Sequence, residues 1–302
     1  MASGDQIFAL DYNTIRNKVA SVLNTGSGTR GYGQTMVSSG IFSGNVITKA
    51  HWDNLRYDII NAYLHQTGVL PSIVAVNSGD FIGFGAGYPN NNYDTLAEQL
   101  LLNRFSIGAG QSVVSSVATQ SRTGSWTTRS ECTLTVTFAS ADQARYFFNS
   151  GGKLRFSSSR TGGAATAQNN SWTTTLNTTV GTVEFGGTTP SVINFYSLTT
   201  GYQQVYQAGS SGIYTPNYYR IEALCNCSGA NNATGTANIV TLRISWNDGY
   251  VDPYPVPVPP DDVVDGTLTI NVEEFKAVGT LIPSGAFSIT SPGYSLSGIS
   301  AS

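Results

Sequence analysis

Histidine occurs twice and cysteine three times in this chain of 302 residues, so metal, acid–base and thiol chemistry have few side chains to draw on. His51 and His65 fall in one segment of helical periodicity, and a rise of about 1.5 Å per residue puts them about 21 Å apart. One ion cannot hold both within a chain, which leaves a ring of His65 at a symmetry axis as the only shared role. Cys225 and Cys227 flank Asn226 and point to the same face of a strand, half of a thiolate site. Only Cys132 could add a third sulfur, and free cysteines ordinarily act as small buried hydrophobes. The carboxylates Asp80, Glu131, Glu184, Glu222, Asp248 and Asp252 are scattered, and none forms an Asp-x-Asp pattern. Glu273 and Glu274 fall on alternate faces of a predicted strand. Glycoside hydrolysis needs just two carboxylates, yet no pair stands out. The glycine-rich strings SGTRGYGQT and FIGFGAG lack the lysine and the strand-to-helix context of a phosphate loop. The expectation is a non-enzyme with no catalytic residues, no metal site and no cofactor.

The surface composition points the same way. Charged residues make up 11% of the chain, against roughly 25% in an average soluble protein, so Ser, Thr, Asn, Gln, Gly and Tyr must cover much of the exterior. Such a surface suits close packing, because charges at an interface have to be desolvated. A formal net charge of -3 and the absence of any Lys/Arg run argue against nucleic-acid binding, which needs a basic footprint. No stretch approaches the ~20 apolar residues of a membrane span, and the first residues lack a basic-then-apolar export signal.

Hydrophobic periodicity divides the chain at about residue 110. In residues 1–110, a helix with Asp11 as N-cap carries Ile15, Val19, Val22 and Leu23 on one face. A second, capped by Thr48, carries Trp52, Leu55, Ile59, Ala62 and Tyr63 on one stripe and Asp53, Arg56 and Asp58 opposite. A third pattern spans Tyr93 to Phe105. Trp52, Leu55, Ile59 and Tyr63 are the expected interface of a helical docking region, with packing inside the chain as the competing reading.

In residues 111–302 the period changes to two. ECTLTVTF alternates Cys132, Leu134, Val136 and Phe138 with threonines, and NIVTLRISW and GTLTINVEE repeat the pattern. Further strands are expected at Lys153–Ser158, Trp172–Leu176, Thr182–Phe185, Val192–Tyr196, Tyr202–Tyr206, Tyr219–Cys227 and Ala286–Ile289, with one short helix in SADQARYFFNSGG. Many short strands between Gly/Ser/Asn turns predict a mainly β protein with a helical N-terminal region, its core an antiparallel β-sandwich or jelly-roll-like barrel. The tract DPYPVPVPPDD at 252–262 reads as a polyproline II strut. Among sixteen tyrosines, Tyr202, Tyr206, Tyr214, Tyr218 and Tyr254 are candidates for glycan or partner contact, since rigid amphipathic rings suit both.

Several of these strings also carry a resemblance. NTGSGTRGYGQT followed by ITKAHWDNLRYDIINAYLHQTG, then ARYFFNSGGKLRFSSSR, NNSWTTTL and GTVEFG, and finally VDGTLTINVEEF with FSITSPGYSLS, resemble segments of virion structural proteins of tailed bacteriophages, notably those infecting cyanobacteria. The likeness covers most of the chain, less so 80–125 and 187–260. It implies a structural component of the virion and no particular station in it; with the absent export signal, the leading expectation is a subunit of the tail, baseplate or fibre, made in the host cytoplasm and built into the particle. Its partners would be copies of itself, as a trimer or in a sixfold arrangement around a tail, and other virion proteins. Two alternatives stand beside it: a module recognising host surface polysaccharide, and a capsid decoration or neck protein.

Overall fold

The computed structural model describes residues 9–77, 80, 92–188, 193–251, 263–278 and 289–302. It is a mixed helix and strand structure with two antiparallel sheets of four and six strands. The chain forms two compact units. One comprises Met1–Val113, Arg145–Gly152 and Lys276–Thr290, and the other Val114–Ala144, Lys153–Phe275 and Ser291–Ser302. A single division after residue 110 therefore misses two later segments that return to the first unit.

The first unit is helical: α1 (Ala9–Leu23), α2 (Lys49–Thr67), α3 (Tyr93–Leu102) and the last turns of α4 (Ala141–Asn149). Because α1 already runs from Ala9, Asp11 lies in its first turn, not at the N-cap. Thr48 does cap α2, in a reciprocal box in which His51 Nδ1 accepts from the Thr48 N–H at 3.0 Å, and Gly68 ends it in the left-handed conformation. Tyr12, Trp52 and Tyr93, one from each helix, stack edge to face at 5.2 Å in each successive pair. The polar side of α2 is not all solvated. Asp58 is buried and accepts from the Val37 and Ser38 N–H groups at 3.0 and 2.9 Å.

The glycine-rich connector after α1 is held by α4. Arg145 donates to the carbonyls of Arg30 and Thr25, both at 3.2 Å, and buried Asn149 donates to those of Gly28 and Gly31. Gly33 is required where the loop closes, since its φ is +69° and a Cβ there would sit 2.4 Å from the Tyr146 ring.

The second unit holds the strands: β1 (Ser112–Thr123), β2 (Arg129–Thr137), β3 (Lys153–Thr161), β4 (Thr182–Gly186), β5 (Gln203–Gly209), β6 (Tyr218–Cys225), β7 (Ile239–Asn247), β8 (Thr267–Ala277), β9 (Gly293–Leu296) and β10 (Ser300–Ala301). Their order is β1-β8-β3-β4 in one sheet and β10-β2-β7-β6-β5 in the other, with β9 also on β2. Alternation sorts each strand's side chains. Leu134, Val136, Leu242, Ile244, Ile221 and Trp246 of the larger sheet, and Leu154, Phe156, Leu268, Ile270 and Val272 of the smaller, are buried.

Two predicted strands are not strands. Trp172–Leu176 lies across the end of α5 (Ala167–Thr174) and a π-helical turn, Thr175–Val180. Threonine's β preference is overridden there by the Thr166 cap on Asn169 N–H and by burial of Trp172 edge to face with Trp126. In Val192–Tyr196, Phe195 and Tyr196 instead open a 3₁₀ turn that ends at Ser197. Val192, most of Ala286–Ile289 and the 252–262 tract lie outside the described residues.

Candidate interaction surface

The residues chosen for chemistry are dispersed. His65 is fully buried, and its Nε2 donates to the Ser150 carbonyl at 2.8 Å. Burial pushes its pKa down to about 4, so it is a neutral core residue. Strand register sets Cys132 beside Ile244 and Ile221, whereas Cys225 lies in the row of Val136 and Val240, so the three sulfurs do not converge. Burial pushes Cys132 and Cys225 up to about 12, the opposite of what a reactive thiolate needs. Among the described residues no group of three His, Cys, Asp or Glu is placed to hold a metal ion.

The expected docking stripe is also committed elsewhere. Trp52 is 4% exposed, and Leu55 and Ile59 are fully buried among the helices of their own unit, with Tyr63 half-buried. This corrects the docking assignment for Trp52, Leu55 and Ile59, because side chains that make up a core are not offered to a partner.

What the fold does assemble is on the outer face of the larger sheet. The alternation that buries Tyr219, Ile221 and Ala223 turns Tyr218, Arg220 and Glu222 of β6 outward, and register pairs Glu222 with Arg243 of β7. Arg243 bonds Glu222 Oε2 through Nη2 at 2.7 Å and Nε at 3.0 Å. Arg220 reaches the other oxygen at 3.9 Å and donates through Nε to Gln207 of β5 at 2.8 Å. Each guanidinium also covers a ring, Arg243 over Tyr202 at 4.2 Å and Arg220 over Tyr218 at 4.6 Å. On β2, Arg129 and Glu131 pair at 2.6 Å on the same face.

The result is a continuous row, Tyr202–Arg243–Glu222–Arg220–Tyr218, with two cations sharing one carboxylate. Each member is fixed by a neighbour, so little rotamer entropy is left to lose on contact, and the excess positive charge favours carboxylate or carbonyl groups on whatever docks. Arg and Tyr are also the types that concentrate binding energy at protein interfaces.

Two tyrosines singled out from sequence, Tyr202 and Tyr218, thus end this row. Tyr214 does not join them, being 7% exposed and packed on Tyr250 at 4.7 Å. Tyr206 stacks on buried Tyr219 and donates to the Thr179 carbonyl at 3.4 Å. Tyr254 lies outside the described residues. Arg220, Glu222, Arg243 and Gln207 were not anticipated. Their signal is the polar half of the alternation in YYRIEALC, VTLRISW and, for Gln207, QQVYQAG, but only strand register brings them together. No family model, curated protein or solved structure matches this chain.

Proposed function

We propose that this chain is a non-enzymatic structural subunit of a tailed-phage virion, in the tail, baseplate or fibre, working through self-assembly and contacts with neighbouring virion proteins. The observation that carries the reading is the Tyr–Arg–Glu–Arg–Tyr row: a charge-poor protein concentrates fixed, stacked guanidinium and phenol groups on one sheet face. The resemblance of the N-terminal, middle and C-terminal strings to virion structural proteins supplies the setting.

A β-sandwich for the second unit belongs to the same proposal. It is supported by the apolar inner rows of both sheets and by two meetings between them. Tyr219 of β6 lies by Ser158 of β3, and Tyr294 of β9 lies by Glu274 of β8, in each case without a hydrogen bond of normal geometry.

Analytical ultracentrifugation tests the assembly role. The purified chain is expected to sediment as an oligomer, and Arg220→Glu with Arg243→Glu to shift it toward monomer while circular dichroism stays unchanged. An oligomer indifferent to the double substitution removes the row from the interface. Immunogold labelling tests the setting: phage particles from cultures producing the chain should carry the label, and unlabelled particles would overturn the virion role.

A further inference from the structure

The smaller sheet also turns a face outward, and it is built in two halves. At one end are ions: Lys153 and Arg155 on Glu184 at 2.7 and 3.0 Å, with Arg155 3.9 Å above the Phe275 ring. Beyond them the face carries no charge in its centre. Ser157 and Ser159 of β3 stand beside Thr269 and Asn271 of β8, and β1 adds a ladder of hydroxyls. Ser116 and Thr119 both donate to Asn271 Oδ1, at 2.9 and 2.8 Å, and Ser121 bonds Thr269 at 2.8 Å.

This uncharged half is concave. A depression of about 330 Å³ is floored by the two strands and walled by Asn177 and Leu176 of the π-helical turn and by Gly181 and Thr182 that follow it. Its polar groups are largely unspent. The Ser157, Ser159 and Thr182 hydroxyls, the Asn177 amide and the Asn271 Nδ2 form no hydrogen bond within the chain among the described residues, while the oxygen of Asn271 is fixed by its two donors. A six-residue π-helix gives up normal helical bonding and is a frequent mark of functional sites.

The lining restricts the ligand. With no cation or carboxylate in it, neither an anion nor a metal ion would be compensated on leaving water. A peptide segment would want an apolar anchor or a free strand edge, but the lining offers one leucine, and β3 and β8 are both paired on each side. Hydroxyls and amides that both donate and accept match a neutral, polyhydroxylated ring, and the volume lies at the lower end of small-molecule sites. We infer that this depression binds a neutral sugar residue of a polysaccharide. The inference goes beyond the assembly role and does not depend on it.

Saturation-transfer NMR on the full chain tests it, with neutral tetra- to hexasaccharides of glucose, mannose, galactose and N-acetylglucosamine as probes. At least one should give transfer. Asn177→Ala changes an exposed side chain on the rim, so it leaves the fold intact and should weaken binding about five- to tenfold, the worth of one neutral hydrogen bond. Ser159→Val should do the same from the floor, and Tyr202→Ala should leave binding unchanged. No transfer from any of the four series overturns the inference, and so does binding that survives Asn177→Ala and Ser159→Val or is abolished by Tyr202→Ala.

Discussion

Replacing Arg145 with Met separates the guanidinium from its aliphatic stem. In the native unit this side chain is 5% exposed and donates to two loop carbonyls, those of Arg30 and Thr25, each at 3.2 Å. Hydrogen bonds to a charged donor are each worth about 1.5–3 kcal/mol, and methionine fills a similar space without strain. Water can reach part of the loop and recover some of the loss, so the expected destabilisation is about 3 kcal/mol. The larger effect should be local. Freed of its clamp, the connector should open at the exposed Arg30, and limited trypsin digestion should cut there at least tenfold faster than in wild type. Urea unfolding gives the global number and mass spectrometry of the first fragment the site. Unchanged cleavage at Arg30, with a stability change under about 0.5 kcal/mol, would show that the loop holds itself and that α4 is only a bystander.

Other perturbations test other parts of the structure. His65 refuses a proton in the fold until about pH 4 but accepts one near 6.5 when unfolded, so its contribution is full above that value and is lost as pH falls across the window. The span is about 3 kcal/mol, and unfolding followed from pH 7 to 4 should lose that slope in His65→Gln. Burial tends to raise the Glu184 carboxyl, but Lys153 and Arg155 more than offset this and hold it below the usual carboxylate range. Its stabilisation is therefore present above the ordinary glutamate pKa and lost as pH drops beneath it, and Glu184→Gln should flatten that acid limb. Gly33→Ala forces a left-handed alanine into the Tyr146 ring and should cost about 2 kcal/mol or more in thermal unfolding.

Local pattern carried most of the elements. The helices around Ile15, Trp52 and Leu100, and the strands of ECTLTVTF and NIVTLRISW, could be read because each has one apolar face and one polar face, and burial acts on that difference. WTTTL misled because its residue types favour strands, while the decisive influences, Thr166 at the cap and Arg160 donating to the Asn169 carbonyl and Thr173, lie outside the string. The interaction surface was half legible. Tyr202 and Tyr218 are legible as rigid amphipathic rings, yet Arg243 becomes their neighbour only through antiparallel pairing of β6 with β7, a register that no window of sequence contains. The Trp52 stripe failed for a related reason: an amphipathic helix face states that it will be covered, and not by what.

The way the chain visits its two units has a consequence for how the protein is made. The polypeptide passes between them five times, and the helical unit draws its third segment from Lys276–Thr290, where the Val278 N–H closes on the Gln111 carbonyl at 3.0 Å. A ribosome that has released the first 113 residues has delivered three helices but not Arg145 or Asn149, so the carbonyls of Thr25, Gly28, Arg30 and Gly31 still face water. The unit that starts first cannot finish first. Its closure must wait until almost the whole chain has emerged, and a nascent chain stalled before residue 145 should present a loosely held connector that the released protein holds fast.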